Sequence, residues 1–216
     1  MRVVLTGATG FIGSRVLARL LAEPGVTGVT CLTRRPPPVR SDKLTVVTMG
    51  DFTHYEDALL DRLADHRACV WALGGKEQDA KDPVAYERLT HTFTLAFARA
   101  LVPRLTGEFT FCYVSGAGAT PAESARLPVR QATRLLKGRT ERDLIDVARE
   151  HEGFVPYAFR PGGVLPERAG PAGRLLLAPF AVGVRQLATA LVRVACGDVP
   201  PPPRVVRTAD IRRLAR

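Results

Sequence analysis

The chain has 216 residues, enough for one sizeable core, and its 46% hydrophobic and 24% charged residues are the ordinary balance of a globular protein. The net charge is +10, but the arginines that make it are scattered, with doublets only at Arg34-Arg35 and Arg212-Arg213, so no stripe for specific nucleic-acid binding stands out. Cys31, Cys69, Cys112 and Cys196 lie far apart without Cys-x-x-Cys or Cys/His spacing, which speaks against a structural zinc, any other metal site or a disulfide framework.

The first strand is expected at Val3-Val4-Leu5, beginning at Arg2. With that start no cleavable leader is expected, and the apolar run Leu175 to Val184, broken by Pro179, is too short to span a bilayer. A soluble cytoplasmic protein is the expectation. Thr6-Gly7-Ala8-Thr9-Gly10-Phe11-Ile12-Gly13 follows the strand at once and opens an amphipathic helix to Leu21. In a strand–turn–helix, Gly7 allows the sharp exit, Gly10 lets backbone approach a pyrophosphate, and Gly13 lets the helix pack closely. Free N–H groups and the positive helix end then face the phosphates.

This Gly-x-x-Gly-x-x-Gly turn resembles the nucleotide motif of the short-chain dehydrogenase/reductase superfamily, in particular its extended and atypical, nucleoside-diphosphate-sugar epimerase-like branches. The resemblance runs from Arg2 to about Gly163 and implies a doubly wound parallel α/β sheet, the Rossmann fold, in strand order 3-2-1-4-5-6. It implies cofactor contacts from Gly7, Thr9, Gly10, Phe11, Ile12 and Gly13. One domain over residues 1–216 is expected, with a short lid and linker at 164–203.

The second strand, Val29 to Thr33, ends in Arg34-Arg35-Pro36-Pro37-Pro38. An acid here would accept bonds from a ribose 2′-hydroxyl. Arginine suits a 2′-phosphate, so NADP(H) is favoured over NAD(H), resting on Arg34 and then Arg35. The third strand, Leu44 to Thr48, leads to Asp51-Phe52, which the resemblance places beside the adenine. A helix from His54 to His66 follows, with both histidines read as surface residues at its ends. The fourth strand, Ala68 to Leu73, runs into Gly74-Gly75, where the resemblance puts Leu73 and Gly74 beside the nicotinamide ribose. Asp82 is a cap and Pro83 a first helical position for a helix to about Leu101. In it Phe93, Phe97 and Leu101 are core or dimer positions, and His91 has no evident role.

The fifth strand, Phe109 to Val114, ends at Ser115, which the resemblance makes a hydrogen-bond donor to the reacting oxygen. A strand-ending turn serine is the alternative. On the next helix, about Val129 to Glu150, the family carries Tyr-x-x-x-Lys, where tyrosine is the acid/base and lysine holds the ribose. Here Lys137-Gly138-Arg139-Thr140-Glu141 fits the continuation, but Thr133 stands where the tyrosine should be. No tyrosine occurs between Tyr113 and Tyr157. Lys137 is the only lysine of the second half, which suggests a specific role, ribose binding. After a sixth strand at Tyr157 to Phe159, Arg160-Pro161-Gly162-Gly163 resembles the turn that binds the carboxamide, through Pro161 and Gly162. The minimal lid holds Arg168, Arg174, Leu175, Leu176, Leu177 and Phe180. A helix from Arg185 to Cys196, a proline-rich linker, a short strand at Arg204 to Arg207 and a closing helix end the chain.

Two function classes remain. One is an NADP(H)-dependent oxidoreductase or epimerase-like enzyme on a small carbonyl or hydroxyl substrate, with Ser115, Lys137 and Thr133 as the catalytic positions. The other is a non-catalytic NADP(H)-binding redox sensor or protein-interaction module. A homo-oligomer is allowed, and nothing in the sequence supports one.

Overall fold

The computed structural model describes residues 1–75, 80–122, 131–168 and 180–216. The apolar runs become parallel strands: β1 Arg2–Thr6, β2 Gly28–Thr33, β3 Leu44–Thr48, β4 Ala68–Trp71, β5 Phe109–Val114 and β6 Phe154–Arg160. A two-residue ribbon, β7 Val164–Leu165 with β8 Val182–Gly183, sits apart, and β9 Val205–Arg207 joins β6 at the sheet edge. The main sheet has seven strands in the order β3-β2-β1-β4-β5-β6-β9, all parallel, which is the doubly wound order expected, extended by one strand.

Strands buried on both faces need no polar alternation, and β1, β2 and β4 are buried nearly throughout. Their alternate side chains feed two cores. Val3, Leu5 and Val70 face α1 (Gly13–Ala22), α6 (Val184–Cys196) and α7 (Thr208–Leu214). Val4, Trp71 and Phe111 face α2 (Asp57–Ala64), α4 (Phe93–Leu101) and α5 (Gln131–Glu150). Phe97 and Leu101 are core residues with essentially no exposed surface, so the dimer alternative is not needed to explain them. The three strand cysteines are buried free thiols, as expected.

Three expectations change. The helix begun by Pro83 is not uniform: α3 (Pro83–Glu87) and α4 are joined by a π turn over Arg88–Thr92. Such turns re-aim side chains, and here Arg88 meets Asp51 while His91 meets Asp143 at 2.7 Å. The helix expected at His54 to His66 is shorter, Asp57–Ala64. His66 is not a surface residue either; it is 2% exposed, with Nε2 2.9 Å from the Thr30 hydroxyl at the amino-terminal end of the sheet. Burial pushes it down to about 4, because an imidazolium there would lose its hydration. The expected helix start at Val129 and the lid residues Arg174, Leu175, Leu176 and Leu177 lie outside the described residues. Among the described residues, no helix is long and apolar enough to cross a membrane, and no group of three His, Cys, Asp or Glu could hold a metal ion.

Candidate dinucleotide and catalytic site

Because every strand of the main sheet is parallel, the carboxyl ends of β1 to β6 lie along one edge, and the sequence-predicted residues sit on the loops that leave it. The tightest of these loops is the β1–α1 turn. Gly7 has φ +68°, and a Cβ on it would lie 2.4 Å from the Ala72 carbonyl oxygen on the neighbouring loop. A Cβ on Gly13 would lie 2.0 Å from the Gly7 carbonyl oxygen, so the helix start rests directly on the turn. Gly10 closes the turn by donating to the Gly7 carbonyl at 2.9 Å. Thr9, Gly10 and Phe11 remain exposed, while Ile12 is half-buried.

Neighbouring loops are fixed by threonines. Thr6, fully buried, accepts from the Leu73 N–H at 3.1 Å, which ties the β4 loop to the end of β1. Gly74 next to it is open: a Cβ there would meet nothing within 4 Å. Thr33 donates to the Arg35 carbonyl at 2.7 Å and accepts the Arg35 N–H, a local turn that leaves both Arg34 and Arg35 exposed past β2. Asp51 accepts from the Thr53 N–H and hydroxyl and from Arg88, and these bonds hold its carboxyl below the usual range. Phe52 turns the other way, with its ring 1% exposed and 5.6 Å from that of Phe93.

The β5, α5 and β6 contributions converge on a carboxylate that the sequence pattern left unassigned. Glu141, 5% exposed, accepts from the Ser115 hydroxyl and from Arg160, whose Nε lies 2.9 and 3.0 Å from its two oxygens. Ser115 is itself buried, and its hydroxyl proton is committed to this carboxylate. Lys137, one turn before Glu141, donates to the Ser115 carbonyl at 3.0 Å. Burial pulls its ammonium down to about 8, with Glu141 opposing the shift. Thr133 occupies the first turn of α5, half-buried. Gly138 serves close packing, since a Cβ there would lie 2.1 Å from the Thr120 backbone; glycine lets the loop after β5 lie on the helix. After β6, the Pro161 carbonyl accepts from Ala117 at 3.0 Å, and the Gly162 N–H donates to Thr208 at 3.0 Å.

A family model described as NAD(P)H-binding matches residues 7–144, which covers the glycine turn through most of α5. The chain belongs to this NAD(P)H-binding family. Among curated relatives it is similar to the mitochondrial protein fmp52-2 of Neosartorya fischeri, 28% identical over 97% of this chain and 94% of that one. It is also similar to the hybrid PKS-NRPS synthetase poxE of Penicillium oxalicum, 28% identical over 79% of this chain, but spans only 4% of that protein's length. Among solved structures, MoeE5 in complex with UDP-glucuronic acid and NAD shares the fold, with TM-score 0.72 at 19% identity over 96% of this chain and 76% of that one.

The geometry of the NAD(P)H-binding cradle is compatible with a dinucleotide. Side chains are excluded where turn, helix and neighbouring loop touch, at Gly7 and Gly13, whereas Gly74 opens onto free space and Gly10 has only the Gly7 carbonyl within reach. The sequence-predicted residues Gly7 to Gly13, Arg34, Arg35, Asp51, Leu73, Gly74, Ser115, Lys137, Pro161 and Gly162 all stand on the one carboxyl edge. What the sequence pattern did not reveal was the Glu141–Arg160 pair. A signal existed: Glu141 sits one turn past Lys137, on the face that meets the strand end where Arg160 breaks an apolar run.

Proposed function

We propose that this chain binds NADP(H) and acts as an oxidoreductase or epimerase-like enzyme on a small carbonyl or hydroxyl substrate, with Lys137 rather than a tyrosine handling the proton. The observation that supports this reading is the setting of Lys137. Its ammonium stands beside the Ser115 strand end, on the same edge as the glycine turn, and burial brings it to about 8, where it can give and take a proton near neutrality. Thr133 cannot take that role, since an alcohol hydroxyl does not ionise in this range. When bound, the nicotinamide supplies or accepts the hydride. The protein's own part is then to hold the ribose with Lys137, to fix the Ser115 loop through Glu141 and Arg160, and to receive a 2′-phosphate on Arg34 and Arg35. The exposed position of both arginines after β2, with no acid among Thr33, Arg34 and Arg35, supports NADP(H) over NAD(H). Asp51 would face the adenine, and Phe52 would contribute only backbone. Buried free thiols suit a reducing compartment, and the cytoplasm is the location we propose.

The second reading, an NADP(H)-binding module without turnover, is favoured by one specific observation: the Ser115 hydroxyl donates to Glu141 and so is not free to donate to a reacting oxygen. One experiment separates the two. Calorimetric titration with NADPH and NADH is followed by NADPH oxidation assays against a panel of small aldehydes and ketones. Tighter NADPH binding that is lost in Arg34→Ala, with turnover lost in Lys137→Met, is the expected result. NADPH binding with no turnover on any carbonyl would favour the sensor, and no dinucleotide binding would overturn both.

A further inference from the structure

A cleft of about 370 Å³ opens between the β7–β8 ribbon and the first turn of α6, lined by Leu165, Glu167, Gly183, Val184, Arg185 and Gln186. It follows directly on the Arg160-Pro161-Gly162-Gly163 turn, and α1 reaches it from the side of the glycine turn. Two arginines from different helices converge there on one carboxylate. Arg15, two residues beyond Gly13, places Nε 2.5 Å from one Glu167 oxygen, and Arg185 places a guanidinium nitrogen 2.8 Å from the other. Those two bonds hold the Glu167 carboxyl down at about 2, so it is anionic at any working pH.

We propose that this cleft is the substrate subsite of the oxidoreductase reaction, and that it takes a small oxo acid whose carboxylate replaces Glu167 between Arg15 and Arg185. The inference rests on the oxidoreductase reading and adds the substrate class. A carboxylate already fills the position, so the two guanidinium groups are spaced for one. Glu167 neutralises only one of the two positive charges, which leaves an excess charge to attract an anion. The side chains are partly solvent-exposed, so a carboxylate from solution can reach both guanidinium groups. Leu165 and the buried Val184 supply apolar wall for a short aliphatic tail. Glu167 therefore acts as an internal stand-in for the substrate carboxylate.

The test uses the full chain and titrates 2-oxohexanoate, with its uncharged counterpart 2-hexanone and inorganic phosphate as controls, by calorimetry. Expected are binding of 2-oxohexanoate but not 2-hexanone, at least ten-fold weaker binding in Arg185→Gln, and several-fold tighter binding in Glu167→Gln, which removes the competitor. NADPH affinity, measured on the same samples, reports folding and the cofactor reading separately. If NADPH binds but 2-oxohexanoate fails to bind both the wild-type chain and Glu167→Gln, the subsite is overturned while the cofactor reading stands. Equal binding of 2-hexanone, or binding of phosphate in preference to the oxo acid, also overturns it. Absence of NADPH binding alone would sink the functional reading, and the Arg185→Gln comparison would still judge the cleft.

Discussion

Gly13 and Gly7 are in contact because neither carries a side chain there, and this contact sets where α1 begins. In Gly13→Ala the new Cβ must push against backbone, which cannot rotate away. Urea denaturation should show a loss of roughly 1–3 kcal/mol, with NADPH affinity reduced more than ten-fold. His66 makes a different prediction. Its pKa is lowered by burial from 6.5 to about 4, so the unfolded chain binds the proton more readily than the folded one between those values. Stability is therefore complete above pH 6.5 and falls as the pH drops through that window, by up to about 3 kcal/mol, and the slope flattens in His66→Gln. Urea midpoints at about pH 7 and about pH 4.5, on either side of most of that change, measure it. Lys137 acts at the other end of the scale. Its ammonium is lost as pH rises through about 8, so NADPH affinity should fall across that pH, and Lys137→Met should remove the dependence.

At the scale of elements, the carboxyl ends of β5 and β6 are bound to the middle of α5 by one buried carboxylate. Glu141 takes Ser115 from β5's end and Arg160 from β6, while Gly138 lets the intervening loop lie against the helix. Replacing one partner of such a pair leaves the other buried without its counter-charge. Glu141→Gln should cost about 3 kcal/mol in denaturant titrations, and adding Arg160→Leu should recover part of that loss. The π turn between α3 and α4 also ties elements together. It brings Arg88 to Asp51 and over the Phe93 ring at 5.4 Å, and His91 to Asp143 on α5.

For the whole molecule, the dinucleotide would span the loops of β1, β2, β3, β4 and β6, which pack on two cores that share one sheet. A ligand bound across so many loops of the folded state stabilises all of it. NADPH at about a hundred times its Kd should raise stability by about 2.7 kcal/mol, or Tm by roughly 5–10 °C for a chain of this size, in a thermal shift assay. NADH at the same concentration should give a smaller shift, and Arg34→Ala should bring the two shifts together.

Local patterns determined much of this protein. The run of apolar strands, the glycine turn after β1 and the cap at Asp82 are written in neighbouring residues, and the resemblance that the glycine turn carries implied the strand order. Asp82 accepts from Ala85 as a cap should. What neighbouring residues do not encode is pairing across long separations. Glu141 meets Ser115 at a distance of 26 residues in sequence and Arg15 meets Glu167 across 152, and only packing of the helices on the sheet brings them together. The same holds for His66: a histidine at a helix end is ordinarily solvated, and it is buried here because β2 supplies Thr30 beside it. The sequence by itself therefore determined the strands and the glycine turn and, through the resemblance that turn carries, the doubly wound fold. Tertiary structure alone decided which charges are buried, which hydroxyls are already engaged and where two arginines converge, because those depend on contacts between residues far apart in the chain.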